Sequence, residues 1–385
     1  MKRKVCVVIT ARPSYSRIRS ALEAIKQHPN LELQIVVAAS ALLERYGRAE
    51  LVIEEEGFHI DRRVYMILEG ENPVTSAKST GLGLAELATV FSDLRPDMVV
   101  TIADRFETMA TAVCAAYMNI PLVHVQGGEI TGSIDEKVRH AVTKLADIHL
   151  VSTHRAAERV IRMGEQPNRV FVTGCPSIDL AKRAIENPTL TVDTIFEKYG
   201  GVGPRFGISQ QYLVVMQHPV TTEYSQARRH IEETLHAIKQ IDMPTLWFWP
   251  NVDAGSDGTS TGIRAFRENH ALPHIHFFKN MPPEDFIQVL HHSTCLIGNS
   301  SVGIRECAFL GTPVVNIGSR QTGRERGQNV LDTDYARKDI MLAIEKQMAA
   351  GKYPSDSLYG QGDAGQTIAN LLPHIELGIE KRLTF

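Results

Sequence analysis

The sequence predicts an α/β protein built from two doubly wound domains, and three observations carry that prediction. Short runs rich in Val, Ile and Leu alternate with helical patterns along nearly the whole chain. The alternation stutters once, between about residues 186 and 210, and then resumes. The chain has 385 residues, more than one ordinary hydrophobic core accommodates.

Each element follows from that rhythm. KVCVVIT (4–10) precedes SRIRSALEAIKQHP, ELQIVVAAS (32–40) precedes ALLERYG, and DMVVTIA (97–103) precedes ETMATAVCAAYMN. IPLVHVQ (120–126) then precedes DEKVRHAVTKLAD, and IHLVST (148–153) precedes HRAAERVIRMG. Runs so continuously apolar are expected where helices cover both faces of a parallel sheet. Their βαβα order implies a doubly wound, Rossmann-like domain. The turn-rich stretch ENPTLTVDTIFEKYGGVGPRFGISQ marks the connection. QYLVVMQHP, TLWFWPN, HIHFFKN, TCLIGNSS and TPVVNIG form a second set of strands, each followed by a helical stretch, of which VGIRECAFLG is one. The expected domains are 1–190 and 210–365, with a C-terminal helix over 366–385 packing back. Two Rossmann-like domains facing each other leave a cleft, and ligands in such folds bind beyond the carboxyl ends of the strands.

Composition narrows the function. Hydrophobic residues are 43% and charged residues 22% of the chain, as in soluble globular proteins. The formal net charge of −3 argues against a main role in gripping nucleic acid or an anionic membrane. The five cysteines (Cys6, Cys114, Cys175, Cys295, Cys307) are dispersed without C-x-x-C spacing, which favours a reducing cytoplasm over a disulfide framework. Cys6 and Cys114 lie in apolar runs and read as buried thiols. The N-terminal MKRKVCVVIT reads as a first strand rather than a signal peptide. No apolar run approaches the ~20 residues of a membrane span.

The strand-end loops hold the candidate chemistry. TARPSYSR places Arg12 and Ser16 at a strand-to-helix turn, suited to an anion, although Ser14 or Ser16 also serves as an ordinary cap. ADRFET places Asp104 and Arg105 directly after a strand, where Asp104 is also a plausible N-cap. HVQGGEITGSIDEKVRH crowds Glu129, Asp135 and Glu136 into eight positions, with Gln126 neutral among them. His218 in QHPVTT is a candidate phosphate partner or proton donor, against the more common structural histidine. Asn251 and Asp253 in PNVDAGSD suit binding or an Asx-turn. In GNSSVGIRE, Ser300 and Ser301 open a helix after an apolar strand, the setting a diphosphate needs, and Glu306 is placed to accept from a ribose. SRQTGRERGQN adds Arg320, Arg324 and Arg326, forked donors for phosphate. No GxGxxG follows the first strand, and neither the P-loop nor HExxH appears. The pattern points to acid–base chemistry on a diphosphate-linked small molecule, with no metal and no cofactor.

The ordered set ADRFET, GGEITGSIDEKVRHAVTKLAD, GCPSID, QHPVTT, PNVDAGS, GNSSVGIRE and GTPVVNIGSRQTGRERGQNVL resembles the hydrolysing UDP-N-acetylglucosamine 2-epimerases of sialic-acid and legionaminic-acid pathways. The resemblance runs from Arg12 to about Gln361 and is specific as a set. It implies a glycosyltransferase-B-like fold and a two-stage reaction. The C2 proton is removed as UDP leaves, giving 2-acetamidoglucal; water then adds to give N-acetylmannosamine. It implies that Asp104 and Asp135 move protons at the sugar and that His218 lies near diphosphate and sugar. Arg12, Ser16, Arg105, Asn251, Ser300, Ser301, Glu306 and Arg320 match nucleotide- and sugar-binding positions, with Ser300 and Ser301 on phosphate and Glu306 on the ribose. The partners implied are a UDP-linked 2-acetamido sugar, UDP and further copies of the chain, as a homodimer or homotetramer.

Two positions depart from the family pattern. Where those enzymes read H-x-E-G-G-E, with the first Glu implicated in catalysis, this chain has Gln126, which takes no proton at neutral pH. Where the animal enzyme reads RADYS, this chain reads RPSYS, with Ser14 replacing the acid. Both changes fall on the sugar side. The acid–base work then falls to Glu129, Asp135 or Asp104, or the sugar is a relative such as the 2,4-diacetamido-trideoxy sugar of the legionaminic-acid route. The competing readings are a non-hydrolysing epimerase, a glycosyltransferase of the same fold and a non-catalytic nucleotide-sugar binder.

Overall fold

The computed structural model describes residues 2–70, 72–103, 105–130, 134–188, 190, 194–207, 211–250 and 256–384. It divides into two compact units. The first comprises Met1–Glu129, Ile134–Asp179 and Gly360–Phe385; the second comprises Ile130–Ser133 and Leu180–Tyr359.

The first unit begins with β1 (Arg3–Ile9), α1 (Arg12–Ser16), α2 (Arg19–Gln27) and β2 (Leu31–Ala38). It continues through α3 (Ala49–Glu55), β3 (Arg62–Val64), α4 (Pro73–Leu94), β4 (Met98–Ile102) and α5 (Thr108–Tyr117). Next come β5 (Leu122–Val125), α6 (Ile134–Leu145), β6 (Ile148–Val151), α7 (His154–Arg162), β7 (Val170–Val172) and α8 (Pro176–Glu186), within which the unit boundary falls between Asp179 and Leu180. The strands form one parallel sheet in the order β3-β2-β1-β4-β5-β6-β7. Alternate residues of β1 feed opposite faces. Val5, Val7 and Ile9 pack with α2, while Cys6 and Val8 pack with α4 and α5.

The second unit contains α9 (Ile195–Tyr199), β8 (Leu213–Met216), α10 (Ala227–Ile241), β9 (Thr245–Phe248), α11 (Ser256–Asn269) and β10 (Ile275–Phe278). There follow α12 (Pro283–His292), β11 (Cys295–Gly298), α13 (Ser301–Ile304), α14 (Glu306–Leu310), β12 (Val314–Ile317), β13 (Val330–Thr333) and α15 (Arg337–Ala350). Its parallel sheet runs β10-β9-β8-β11-β12-β13, repeating the winding of the first. All five cysteines are buried free thiols. No described helix is long and apolar enough to cross a membrane.

Several elements differ from the sequence expectation. Three strands were not expected: β3 (RRV), β7 (VFV) and β13 (VLDT), each short and at or near a sheet edge. The longest helix, α4, carries scattered Ser, Thr and Gly that blur its apolar stripe, and it starts on a capping box in which Asn72 Oδ1 accepts from the Val74 and Thr75 amides. ALLERYG forms 3₁₀ turns rather than an α-helix. VGIRECAFLG is split into α13 and α14 at Arg305. The expected helix over 366–385 spans only Ala364–Leu371 (α16) and ends before Pro373, which has no N–H to continue it.

α16 belongs to the first unit. Asp179 caps it, accepting from Ala364 N at 2.9 Å and Gly365 N at 2.7 Å. Gly365 allows the close approach to α2, since a Cβ there would lie 2.5 Å from the Ser20 carbonyl carbon. Beyond it, Lys381 Nζ reaches Glu165 Oε2 at 2.6 Å, and Arg3 Nη1 holds the carbonyls of Leu372 and Ile375.

Candidate functional site

In both sheets the winding reverses between the first strand and its later neighbour: between β1 and β4 in one, between β8 and β11 in the other. Loops at the carboxyl ends of such strands splay apart and leave room for a ligand. The sequence candidates gather there, unit by unit.

In the first unit, Arg12 and Ser16 follow β1 on the short α1. The Arg12 guanidinium lies against Gly47, where an added Cβ would sit 2.7 Å from Nη1. Ser16 Oγ donates to the Arg12 carbonyl at 3.3 Å. After β4, Arg105 makes a two-pronged contact with Glu107, both at 3.3 Å. Glu107 is only 1% exposed, so a buried carboxylate fixes this guanidinium. Asp104 lies outside the described residues.

The loop after β5 carries the acidic cluster. Its first member, Gln126, is 1% exposed and has a left-handed backbone, φ +66°. Ala103, at the end of β4, has φ +62°. Non-glycine residues in this region are strained, and strain collects at functional edges. Gln126 Nε2 donates to Cys175 Sγ at 3.1 Å, and Oε1 is buried with no hydrogen-bond partner among the described residues. His124 is held on both ring nitrogens, by the Ala103 carbonyl at 2.9 Å and Thr143 Oγ1 at 3.1 Å, a structural role. Gly128 has φ +74°, and a Cβ there would stand 2.3 Å from the Ala156 carbonyl oxygen.

Glu129 is buried, and its Oε1 accepts from Ser152 Oγ at 3.1 Å. Its carbonyl accepts from Arg139 Nη1 at 2.8 Å, and the Gly128 carbonyl accepts from Arg159 Nη1 at 3.1 Å. Asp135 and Glu136 stand in the first turn of α6, where the helix dipole favours negative charge. Arg139 is four residues beyond Asp135, hence on the same helix face. Lys137 is exposed.

In the second unit, His218 follows β8 and Asn299, Ser300 and Ser301 follow β11. Gly298 has φ +134°, and a Cβ there would fall 2.1 Å from the Met216 carbonyl oxygen. Only glycine lets β11 lie so close to β8. His218 is buried; burial first, and then the charge of Arg320, hold its pKa well below the usual histidine range. Its imidazole is therefore neutral near pH 7. Ser300 Oγ accepts from Val302 N at 3.5 Å, a long cap on a helix of four residues. Glu306 is half-buried and opens α14. Arg320 Nη1 donates to the Asn299 carbonyl at 3.2 Å. Arg324 Nε donates to the carbonyl of Ile130, which groups with this unit, at 3.0 Å, and Arg326 pairs with Asp332. Asn251 and Asp253 lie outside the described residues. Sequence reasoning assigned no role to Glu107, Arg139, Arg159, Cys175 or Asn299: Glu107 reads as ordinary helix-start charge until its burial is seen, and the others act on residues remote in sequence or on backbone groups.

Two Rossmann-like units, each with polar side chains at the carboxyl ends of its strands, make up a glycosyltransferase-B-like fold. The fold is shared with the crystal structure of UDP-GlcNAc 2-epimerase from Neisseria meningitidis bound to UDP-GlcNAc (TM-score 0.81, 17% identity, 96% of this chain and 99% of that one). It is shared too with the S. aureus MnaA–UDP structure (TM-score 0.77, 19% identity, 100% of both chains). The family model for UDP-N-acetylglucosamine 2-epimerase matches residues 23–373. A UDP-N,N'-diacetylbacillosamine 2-epimerase (hydrolyzing) from Legionella pneumophila is 31% identical over 98% of this chain and 97% of its own length. A UDP-N-acetylglucosamine 2-epimerase from Neisseria meningitidis is 30% identical over 94% and 92%. The chain belongs to the UDP-N-acetylglucosamine 2-epimerase family.

Proposed function

We propose that this enzyme is a hydrolysing 2-epimerase that converts a UDP-linked 2-acetamido sugar into the free 2-epimer and UDP. The carrying observation is the carboxylate group after β5: Glu129 buried and held by Ser152, with Asp135 in the first turn of α6. A C2 proton is only weakly acidic. Its removal needs a positioned carboxylate acting together with stabilisation of the departing diphosphate.

In this reading a carboxylate takes the C2 proton, the C1–O bond breaks, and its electron pair leaves with UDP as the C1=C2 bond forms. Water then adds its oxygen to C1, and a proton is delivered to C2 from the opposite face. Asp104, Asp135 and Glu129 are the candidate proton carriers. Gln126 takes no proton, and its buried amide orients instead. Arg12, Ser16, Arg105, Asn251, Ser300, Ser301, Glu306 and Arg320 bind the nucleotide sugar, with Ser300 and Ser301 on phosphate and Glu306 on the ribose. His218, held neutral, offers one N–H donor to the diphosphate or sugar.

Gln126 and Ser14 support a sugar other than plain N-acetylglucosamine, and the 2,4-diacetamido-2,4,6-trideoxy sugar is the first to test. The name of the Legionella relative supports the same direction. Incubating the protein with each UDP-sugar alone tests the reading. Release of UDP and a free sugar without any acceptor supports it. A product that keeps its nucleotide indicates a non-hydrolysing epimerase, and UDP release only with an acceptor indicates a transferase.

A further inference from the structure

Asn299 makes more directed contacts than its place beside two candidate serines suggests. It is 1% exposed and follows Gly298, the residue that brings β11 flush against β8. Its backbone N–H donates to the Met216 carbonyl at 3.2 Å, the last step of the β8–β11 ladder. Beyond that point the side chain takes over from the backbone. Asn299 Oδ1 accepts from His218 N at 2.7 Å, and Asn299 Nδ2 donates to the His218 carbonyl at 2.9 Å. One carboxamide thus satisfies both main-chain groups of His218, which only a side chain with a donor and an acceptor in one plane achieves. Pro219 restricts His218 to extended backbone, which presents both groups to the amide.

The Asn299 carbonyl is used as well. It accepts from Arg320 Nη1 at 3.2 Å and Gln321 Nε2 at 2.8 Å, both from the turn after β12. One buried residue therefore ties together the loops after β8, β11 and β12.

We propose that Asn299 is a positioning residue that fixes the His218 loop and the Arg320 guanidinium in one arrangement for receiving the substrate's diphosphate. The proposal rests on the reading above for its ligand, while the clamp itself is testable without turnover. Asn299→Asp keeps the shape but sets an oxygen against the His218 carbonyl, and Asn299→Ala removes both contacts. Asn329→Ala is the control. It deletes a buried amide that donates to the Thr312 carbonyl at 2.9 Å, at the opposite ends of the strands in the same sheet.

His218 titration is followed by NMR, and UDP affinity by calorimetry. The account predicts that Asn299→Asp moves the His218 titration up by about one pH unit or more, towards the ordinary range. It also predicts that Asn299→Asp and Asn299→Ala weaken UDP binding by about tenfold or more. Asn329→Ala lowers the melting temperature and leaves both readouts in place. Unchanged titration and affinity in Asn299→Asp overturn the proposal, as do equal changes in the control. If neither variant folds, hydrogen exchange on the wild type decides. A His218 amide as protected as those of β8 supports the clamp, and rapid exchange overturns it. Failure of the wild type to release UDP from any sugar contradicts the epimerase reading and leaves the titration result standing.

Discussion

Gln126 at the end of β5 donates its side-chain amide to the sulfur of Cys175 after β7, at 3.1 Å, and that sulfur lies 3.0 Å from Ser177 Oγ. The residue that breaks the family's acidic pattern is thus built into a buried network, on a left-handed backbone that costs about 1–2 kcal/mol in a non-glycine residue.

Gln126→Glu places a carboxyl where water is scarce, so its pKa rises. An acid whose folded-state pKa is raised keeps its stability below the unfolded value and loses it as pH rises through the folded one. The variant's melting temperature should therefore match the parent's near pH 4 and fall below it by pH 8. In turnover, kcat should change by about tenfold or more on one of the two candidate sugars. UDP affinity should stay within about twofold, because Ser300 and Ser301, the residues read as contacting phosphate, belong to the other unit. Calorimetry and rates on both sugars check this.

Gly128→Ala and Gly351→Ala form a matched pair. Both glycines have positive φ, but a Cβ at Gly128 would strike the Ala156 carbonyl oxygen, whereas at Gly351 it meets nothing within 4 Å. Gly351→Ala should cost about 1–3 kcal/mol from backbone strain alone, because φ +68° with ψ −160° is a conformation nearly restricted to glycine. Gly128→Ala should cost about 3 kcal/mol or more and reduce turnover, because the turn that carries Glu129 has to shift. Chemical denaturation with an activity assay separates the two.

Glu107→Gln should loosen Arg105 without removing it. The buried carboxylate becomes a neutral amide, and the guanidinium loses its charged anchor. We expect kcat/KM for the nucleotide sugar to fall by about tenfold, chiefly through KM, as steady-state kinetics would show.

The pH dependence of stability has a separate origin, in the cluster that holds the C-terminal segment. Burial opposes ionisation of Glu165, but hydrogen bonds from His149, Lys144 and Lys381 outweigh it and lower its pKa to about 2. With two lysines on that carboxylate, buried His149 remains neutral, its pKa lowered by burial. Both groups bind protons more weakly when folded. Stability should be level above about pH 6.5 and decline below it as the unfolded chain protonates this histidine. It should decline further from about pH 4.5 as Glu165 loses its advantage. Glu165→Gln should cost about 2–4 kcal/mol at pH 7, because two lysines lose their counter-charge, and should flatten the acid limb. Thermal melts across this pH range test both statements.

The sequence made the buried strands legible, because Val5 to Ile9 or Cys295 to Gly298 are apolar on both faces and so announce a covered parallel sheet. It also placed the acidic and phosphate-type residues at strand ends. β3 was hidden because Arg62 and Arg63 are solvent-facing on an edge strand, and α4 because its small polar residues give no sharp stripe. Glu107 and Asn299 stood inside quoted motifs. What made them stand out was the partner each holds, and a partner 81 residues away, as His218 is from Asn299, leaves no mark on local pattern.

The most direct test of the central claim is NMR of the product formed from the UDP-sugar in deuterated water, with the protein as the only catalyst. The account predicts free UDP and a free 2-acetamido sugar that carries deuterium at C2 with inverted configuration there. A product still joined to UDP, or a free sugar that keeps its C2 hydrogen and its configuration, would contradict it.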